Sequence, residues 1–289
     1  MNNLQDSELI LNPNGSIYHL NLLPNQIAKN VIVVGDPERV AIIAKHFETV
    51  LAYEQKREFV TKTGTYKGKE ITVMSTGIGC DNIDIVINEL DALVNFDLKE
   101  RKLKEKHTAL NIVRIGTCGS LQADLEVDSF VASTHGLGMD GLLHYYDYQN
   151  TPEETEILEA FLKHSNWKEI PAKPYLIDCS NELLESIAFD MHKGITATAG
   201  GFYGPQGRYL RAPLKKNDLN EVLRDFNYKD NRIVNFEMET SALYGLGRRI
   251  LGHHCLTVCA VIANRERKNF SNDPYKALDS LILKVLDRI

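Results

Sequence analysis

The sequence is short of the features that mark a disulfide scaffold, a membrane protein or a metal enzyme. Its five cysteines, Cys80, Cys118, Cys179, Cys255 and Cys259, are odd in number, far apart and never arranged as C-x-x-C. That argues against a disulfide framework and a zinc knuckle, and it predicts a reducing compartment. No uncharged apolar run approaches membrane-spanning length, and no basic segment followed by an apolar stretch opens the chain. The expectation is a soluble, cytoplasmic protein without a signal peptide. Basic residues are outnumbered, 33 Lys and Arg against 39 Asp and Glu, for a formal net charge of -6. Nucleic acid and acidic membrane are therefore not expected partners, and any anion must be met by a local cluster of cations. The patterns G-x-x-x-x-G-K-[ST], G-x-S-x-G and H-E-x-x-H are missing, which removes NTPase, esterase and zincin readings. His135, His144 and the pair His253-His254 lack a metal-ligand spacing, so no catalytic metal is predicted.

What is present is a repeated unit. Val31-Ile32-Val33-Val34 is a continuously apolar, β-branched run, the pattern of a strand buried on both faces. Gly35 ends it, Asp36 suits an N-cap, Pro37 a first helical position, and Val40, Ile43, Ala44 and Phe47 follow at helical spacing. The unit recurs as Ile71 to Met74, a turn at Ser75 to Gly79, and a helix with Ile83, Val86, Ile87, Leu90 and Val94 on one face. A third instance runs from Leu110 to Ile115 and turns at Gly116-Thr117-Cys118-Gly119, with Phe130 to Ala132 as a strand nearby. Further helices are expected at 154–164, 217–226, 238–249 and 274–288, and a central strand at 256–262. The mixed-charge run between Asp97 and His107 is expected to be a solvated helix end. With 289 residues, 43% of them hydrophobic, the chain can bury one large core. Alternating units predict an α/β class fold, a single-domain α/β/α sandwich around a central mixed, largely parallel twisted sheet. Residues 1–16 are polar and predict an arm ahead of a domain at 17–289, mobile at its start.

Ligands of such sheets settle where strands end and loops diverge, and each Gly turn brings polar groups there. Gly35 to Arg39 offers free backbone N–H groups at a helix start, with Arg39 one turn on, which suits a phosphate. Arg114 lies inside an apolar strand, so either a buried carboxylate or a bound anion must compensate it. Gly116 to Gly119 could form a concave anion nest around Thr117. Asn235 to Glu239 opens a helix with carboxylates Glu237 and Glu239 two apart, a spacing at which they need not act as a pair. Gly201 to Arg208 is a Gly/Pro-rich loop in which Gln206 and Arg208, two apart on an extended segment, can together grip a flat ring bearing carbonyl and N–H groups. Gly136-Leu137-Gly138-Met139-Asp140-Gly141 matches G-x-G-x-x-G but is followed by neither a helix nor a suitably placed acid, so it is not taken as a dinucleotide site.

In order along the chain, Gly35-Asp36-Pro37-Glu38-Arg39, Arg57-Glu58-Phe59, Ser75-Thr76-Gly77-Ile78-Gly79, Arg114-Ile115-Gly116-Thr117, Phe202 to Arg208, Glu237-Met238-Glu239 and Asn264-Arg265 resemble the uridine phosphorylases of the nucleoside phosphorylase family. The resemblance covers roughly residues 17–289. It implies a pentosyltransferase that exchanges uracil for inorganic phosphate on the ribose of uridine, or also of deoxyuridine or thymidine. It implies phosphate held by Gly35, Arg39, Arg114 and Thr117, with Arg57 reaching in from a neighbouring subunit. Glu237, Met238 and Glu239 would hold ribose, with His19 approaching its 5′-hydroxyl across a dimer interface. Phe202, Gln206, Arg208 and Arg265 would hold the base, and Arg208, Gln206, Arg114 and Glu239 would carry catalysis. No cofactor is implied and phosphate is a co-substrate. A monovalent cation between subunits stays open, because Cys80-Asp81-Asn82 stands where the family's pattern is Gly-Pro-Ser. The expected assembly is a homodimer with shared active sites, or a hexamer. Purine members carry an Asp after the last strand, where this chain has Asn264-Arg265. The alternatives kept are a purine nucleoside phosphorylase or nucleosidase of the same superfamily, and a noncatalytic nucleoside-binding module.

Overall fold

A computed structural model describes residues 4–168, 170 and 172–289. In chain order the elements are β1 (Asn30–Val34), α1 (Pro37–Ala44), β2 (Thr49–Lys56), β3 (Phe59–Tyr66), β4 (Lys69–Ser75), α2 (Cys80–Asn95), β5 (Phe96–Asp97), β6 (Lys102–Leu103), β7 (Asn111–Ser120) and β8 (Phe130–Gly138). There follow α3 (Pro152–Ser165), β9 (Tyr175–Asp178), α4 (Asn181–Ile187), β10 (His192–Thr198), α5 (Leu219–Asp225), β11 (Asn227–Tyr228), β12 (Asn231–Glu237), α6 (Thr240–Ala242), β13 (His254–Asn264), β14 (Asn269–Phe270) and α7 (Pro274–Arg288).

β1 is apolar throughout because it is sandwiched, running parallel to β4 on one side and to β7 on the other. β13 is central, as expected: it lies parallel to β7 along most of its length and antiparallel to β8 near its middle. The chain of neighbours is β11-β12-β10-β8-β13-β7-β1-β4-β3-β2, and a further pairing of β12 with β7 closes part of the sheet on itself. Two parallel blocks, β12-β10-β8 and β13-β7-β1-β4, meet at the antiparallel β8-β13 pairing, and the β2-β3-β4 hairpins at one edge are antiparallel. One large apolar cluster joins β1, β4, β7 and β13 to α1, α2 and α7, and a smaller one gathers α3, α5, β10 and β12.

Helix starts follow their local chemistry. Asp36 caps α1 by accepting from the Glu38 N–H at 2.9 Å, with Pro37 as first residue. Thr151 and Glu154 form a reciprocal capping box on α3, and Asp273 caps α7.

Four local expectations need correction. Residues 97–107 are not a helix end: α2 stops at Asn95 and the chain makes the short antiparallel pair β5-β6. The charges there are solvated, but their periodicity decided nothing about local structure. Gly116 to Gly119 forms no nest, because β7 continues to Ser120 and spends those backbone groups in the sheet. Glu237 ends a strand, and the helix after it begins only at Thr240, continuing from Leu243 to Ile250 as a wider π-helical turn. Gly201 to Arg208 is not extended, since Gly204–Gln206 makes a single 3-10 turn closed by Gly207 in the left-handed region.

The start of the arm, residues 1–3, lies outside the described residues. From residue 4 on the arm is packed: Leu9 is buried, Leu11 bridges to Ile17, and Arg101 of the β5-β6 hairpin donates to the Leu9 carbonyl at 3.2 Å.

Candidate active site

The carboxyl ends of β1, β4, β7, β12 and β13 converge on a cavity of about 740 Å³. Its wall includes Gly35 and Arg39 after β1, Gly77 and Ile78 after β4, and Arg114, Thr117 and Cys118 of β7. Glu237, Met238 and Glu239 close it after β12, and Phe202, Gln206 and Arg208 come from the loop after β10. Segments far apart in sequence meet here because β1, β4, β7 and β13 run parallel and share one rim, and β12 pairs antiparallel with the end of β7, which brings its own carboxyl end to the same place.

At the floor, Arg114 is only 5% exposed. Its Nη2 is paired with Glu239 Oε2, and its Nη1 lies 3.3 Å from Glu237 Oε2. The two carboxylates do act together, contrary to the sequence reading, because the strand end and the turn after it bring both onto one guanidinium. Burial works against the charge on Arg114, but Glu239 and Glu237 outweigh it and raise its pKa. Glu237 is anchored from its own side: it accepts from Thr198 Oγ1 at 2.7 Å and from the N–H groups of Glu239 and Thr240 at 2.9 Å each. Burial raises its pKa against the pull of Arg114. Glu239 also accepts from the Gly79 N–H at 2.8 Å, tying the loop after β4 to the same carboxylate.

Arg39 is a second cation on this floor. It donates to the Ile115 carbonyl at 3.3 Å, and its pKa is lowered, first by burial and then by the proximity of Arg114. Arg39, unlike Arg114, has no carboxylate within ion-pair distance among the described residues, and an anion seated beside it would offset the repulsion from Arg114. Gly35 and Thr117 stand in the same wall.

In the same wall, Gln206 is 3% exposed although it sits on a loop. Its Oε1 accepts from Arg208 Nη1 at 2.7 Å and from Arg265 Nη2 at 2.9 Å. Arg208 stacks on the Phe202 ring at 3.8 Å and donates to the Phe202 carbonyl at 2.6 Å. Gln206 and Arg208 thus meet at one place, through a tight turn instead of an extended strand. Arg265, expected beside the base, stands one layer back: it is not in the cavity wall and grips Gln206 from behind.

The same chain does not bring His19 or Arg57 into the cavity wall. Arg57 is exposed at the β2-β3 turn with φ 54°, next to Glu58, which does line the cavity. His19 Nδ1 lies 2.6 Å from Glu89 Oε1, and the same carboxylate accepts the N–H groups of His19 and Leu20. That holds the ring through Nδ1.

Several site residues carry no sequence signal. Asn220 of α5, Thr198 at the end of β10 and Phe270 of β14 look like ordinary helix-surface or strand residues, and only the fold brings them here. Asn264 is spent tying its own loop to the loop after β7. Its Nδ2 donates to the carbonyls of Gln122 and Leu125 at 2.9 and 2.7 Å, and its Oδ1 accepts from the Arg267 N–H at 2.8 Å. The G-x-G-x-x-G stretch has a packing origin: a Cβ on Gly138 would lie 2.1 Å from the Tyr175 ring, and one on Gly136 would lie 2.7 Å from the Ser241 backbone.

Among the described residues, Asp91, His107 and His253 come within 4.8 Å of one another. His253 Nδ1 accepts from the Leu110 N–H at 3.1 Å, so Nε2 carries the ring proton; it lies 3.3 Å from Asp91 Oδ1 but makes no hydrogen bond to it. A metal ligand would need that nitrogen bare, so the ring as it is held does not offer Nε2 to a metal.

The strand ends of this mixed α/β sheet thus bring two arginines, two carboxylates and a glutamine-arginine pair to one cavity. The chain belongs to the phosphorylase superfamily, whose family model matches residues 29–286. It is 31% identical over 256 residues to the uridine phosphorylase of Thermococcus kodakarensis, covering 89% of this chain and 80% of the relative. It is 37% identical over 232 residues to a DeoD-type purine nucleoside phosphorylase of Clostridium novyi, covering 80% and 81%. Among solved structures, a nucleoside phosphorylase of Trypanosoma brucei that shows uridine phosphorylase activity superposes with a TM-score of 0.87 at 30% identity, covering 98% of this chain and all of that one. The family expected from the seven motifs is the family found.

Proposed function

We propose that this phosphorylase is a uridine phosphorylase, a pentosyltransferase that converts uridine and inorganic phosphate to uracil and ribose 1-phosphate. The observation that carries the reading is that one cavity is lined by Arg39 and Arg114 and also by buried Gln206 and its partner Arg208. Phosphate seated on the two arginines, beside Gly35 and Thr117, attacks the anomeric carbon as the bond to uracil lengthens. The sugar gains oxocarbenium character, which the phosphate's own charge stabilises, and the departing base gains negative charge, which Arg208 and Gln206 Nε2 receive. Glu239, bridging Arg114 and the Gly79 amide, offers carboxylate oxygen to vicinal ribose hydroxyls beside Met238 and Glu237. His19 and Arg57 complete the site from a second subunit, His19 at the 5′-hydroxyl and Arg57 at the phosphate, in a homodimer or a higher assembly of dimers. Donors preset for the anionic base lower the barrier because they bind the transition state better than uridine.

The purine reading is favoured by the Clostridium novyi relative. Against it, both N–H donors of Asn264 are taken by backbone carbonyls, its Oδ1 already accepts from Arg267, and an amide cannot protonate a departing purine. Initial rates of base release from uridine, deoxyuridine, thymidine, inosine and adenosine in phosphate buffer test the assignment. Uridine is expected to lead, and a strong preference for inosine would reassign the enzyme to the purine branch.

A further inference from the structure

Resting on that reading, we propose that Asn220 and Arg265 are positioning residues that fix which way the Gln206 amide faces, and that they thereby set the choice of a uracil ring over a cytosine ring. Arg265 grips Gln206 twice, through its backbone carbonyl (Nη1, 2.6 Å) and through Oε1 (Nη2, 2.9 Å). Its Nη1 also donates to Asn220 Oδ1 at 3.1 Å, and its guanidinium stacks on Phe236 at 4.7 Å. Asn220 presses on the turn as well: a Cβ on Gly207, whose φ is +68°, would fall 2.7 Å from the Asn220 amide nitrogen. The guanidinium is thus held on three sides, and it stays cationic at neutral pH although burial and the nearby Arg208 bring its pKa down to about 10.

The consequence lies in the hydrogen-bond inventory. Oε1 has two lone pairs, one engaged by Arg265 and one by Arg208. With Oε1 turned to the arginines, Nε2, which has no partner among the described residues, is left to the cavity that Gln206 lines. When a ring enters, Arg208 exchanges Oε1 for a ring carbonyl, and the freed lone pair accepts a ring N–H while Nε2 donates to the neighbouring carbonyl. That donor-acceptor pair matches the carbonyl and N–H edge of uracil. Cytosine has a bare nitrogen where uracil has N–H, and it would meet Oε1 lone pair to lone pair. Without Arg265 the amide is free to turn over and present Nε2 to that nitrogen. A site that leaves a buried polar group unmatched rejects the wrong ring strongly, and one whose amide can rotate does not.

The test measures uridine phosphorolysis with uracil and cytosine as competing inhibitors, in the wild type, Arg265→Met and Asn220→Ala. The wild type is expected to be inhibited far better by uracil. Arg265→Met should raise the KM for uridine, leave the KM for phosphate within about twofold, and shrink the uracil-to-cytosine ratio of inhibition constants at least about tenfold. Asn220→Ala should move the ratio the same way by less, and Arg265→Lys should recover it in part. If the ratio holds while activity falls, or if neither variant changes anything, the positioning role is overturned and the uridine reading stands. A wild type that cleaves inosine and is indifferent to uracil overturns both.

Discussion

Arg39 and Arg114 sit in one cavity yet do different work, and single substitutions should separate them. Arg114 is neutralised by Glu237 and Glu239. Replacing it with Met leaves two buried carboxylates without a counter-charge, which should cost about 3–5 kcal/mol of stability, read by urea unfolding, as well as activity. Arg39 has no carboxylate partner within ion-pair distance among the described residues, and burial and Arg114 both disfavour its charge. Arg39→Met should therefore leave unfolding nearly unchanged while raising the KM for phosphate about tenfold or more, the loss of one charged hydrogen bond. Equal destabilisation by the two variants would contradict this division. Residue types told much of this in advance: an Arg inside an apolar strand demanded compensation. The sequence left open whether carboxylate or anion supplied it, because a spacing of two between Glu237 and Glu239 has a meaning only once the strand is known to end between them.

At the scale of elements, the strand-turn-helix units were legible because burial on both faces leaves a continuous apolar run and because Asp36-Pro37 and Asn272-Asp273-Pro274 are chemical start signals. The β5-β6 hairpin and the extension of β7 through Gly119 were not. Charge patterning is silent on hairpins, and Gly116 to Gly119 looks like a turn until β13 and β12 are there to pair with it. Gly138 shows the same dependence on a neighbour: its missing side chain makes room for Tyr175, whose hydroxyl reaches Asp140 at 2.8 Å and Ser241 at 2.9 Å. Gly138→Ala should destabilise the fold by about 1–3 kcal/mol through overpacking. Thermal unfolding of that variant, beside Gly68→Ala as a control for strain at a positive φ in open space, checks the origin.

For the whole molecule, the chain by itself brings Arg39, Arg114, Gln206 and Arg208 to one cavity but leaves His19 and Arg57 outside its wall. If active sites are shared, two crippled chains should rescue each other. Gln206→Ala is expected to lower turnover about a hundredfold, and His19→Ala to impair uridine binding. Mixed and reassembled, the two should regain activity, since one site of each mixed dimer has both wild-type residues. Mixing without recovery, in a preparation shown to exchange subunits, would place His19 outside catalysis.

The central claim is that the two arginines present phosphate to the sugar as the attacking group. Its most direct measurement is the sugar product, followed by phosphorus NMR while uracil release is monitored in the same sample. The account predicts one ribose 1-phosphate formed for each uracil released, and no release when phosphate is omitted. Free ribose, appearing at the same rate with or without phosphate, would contradict it.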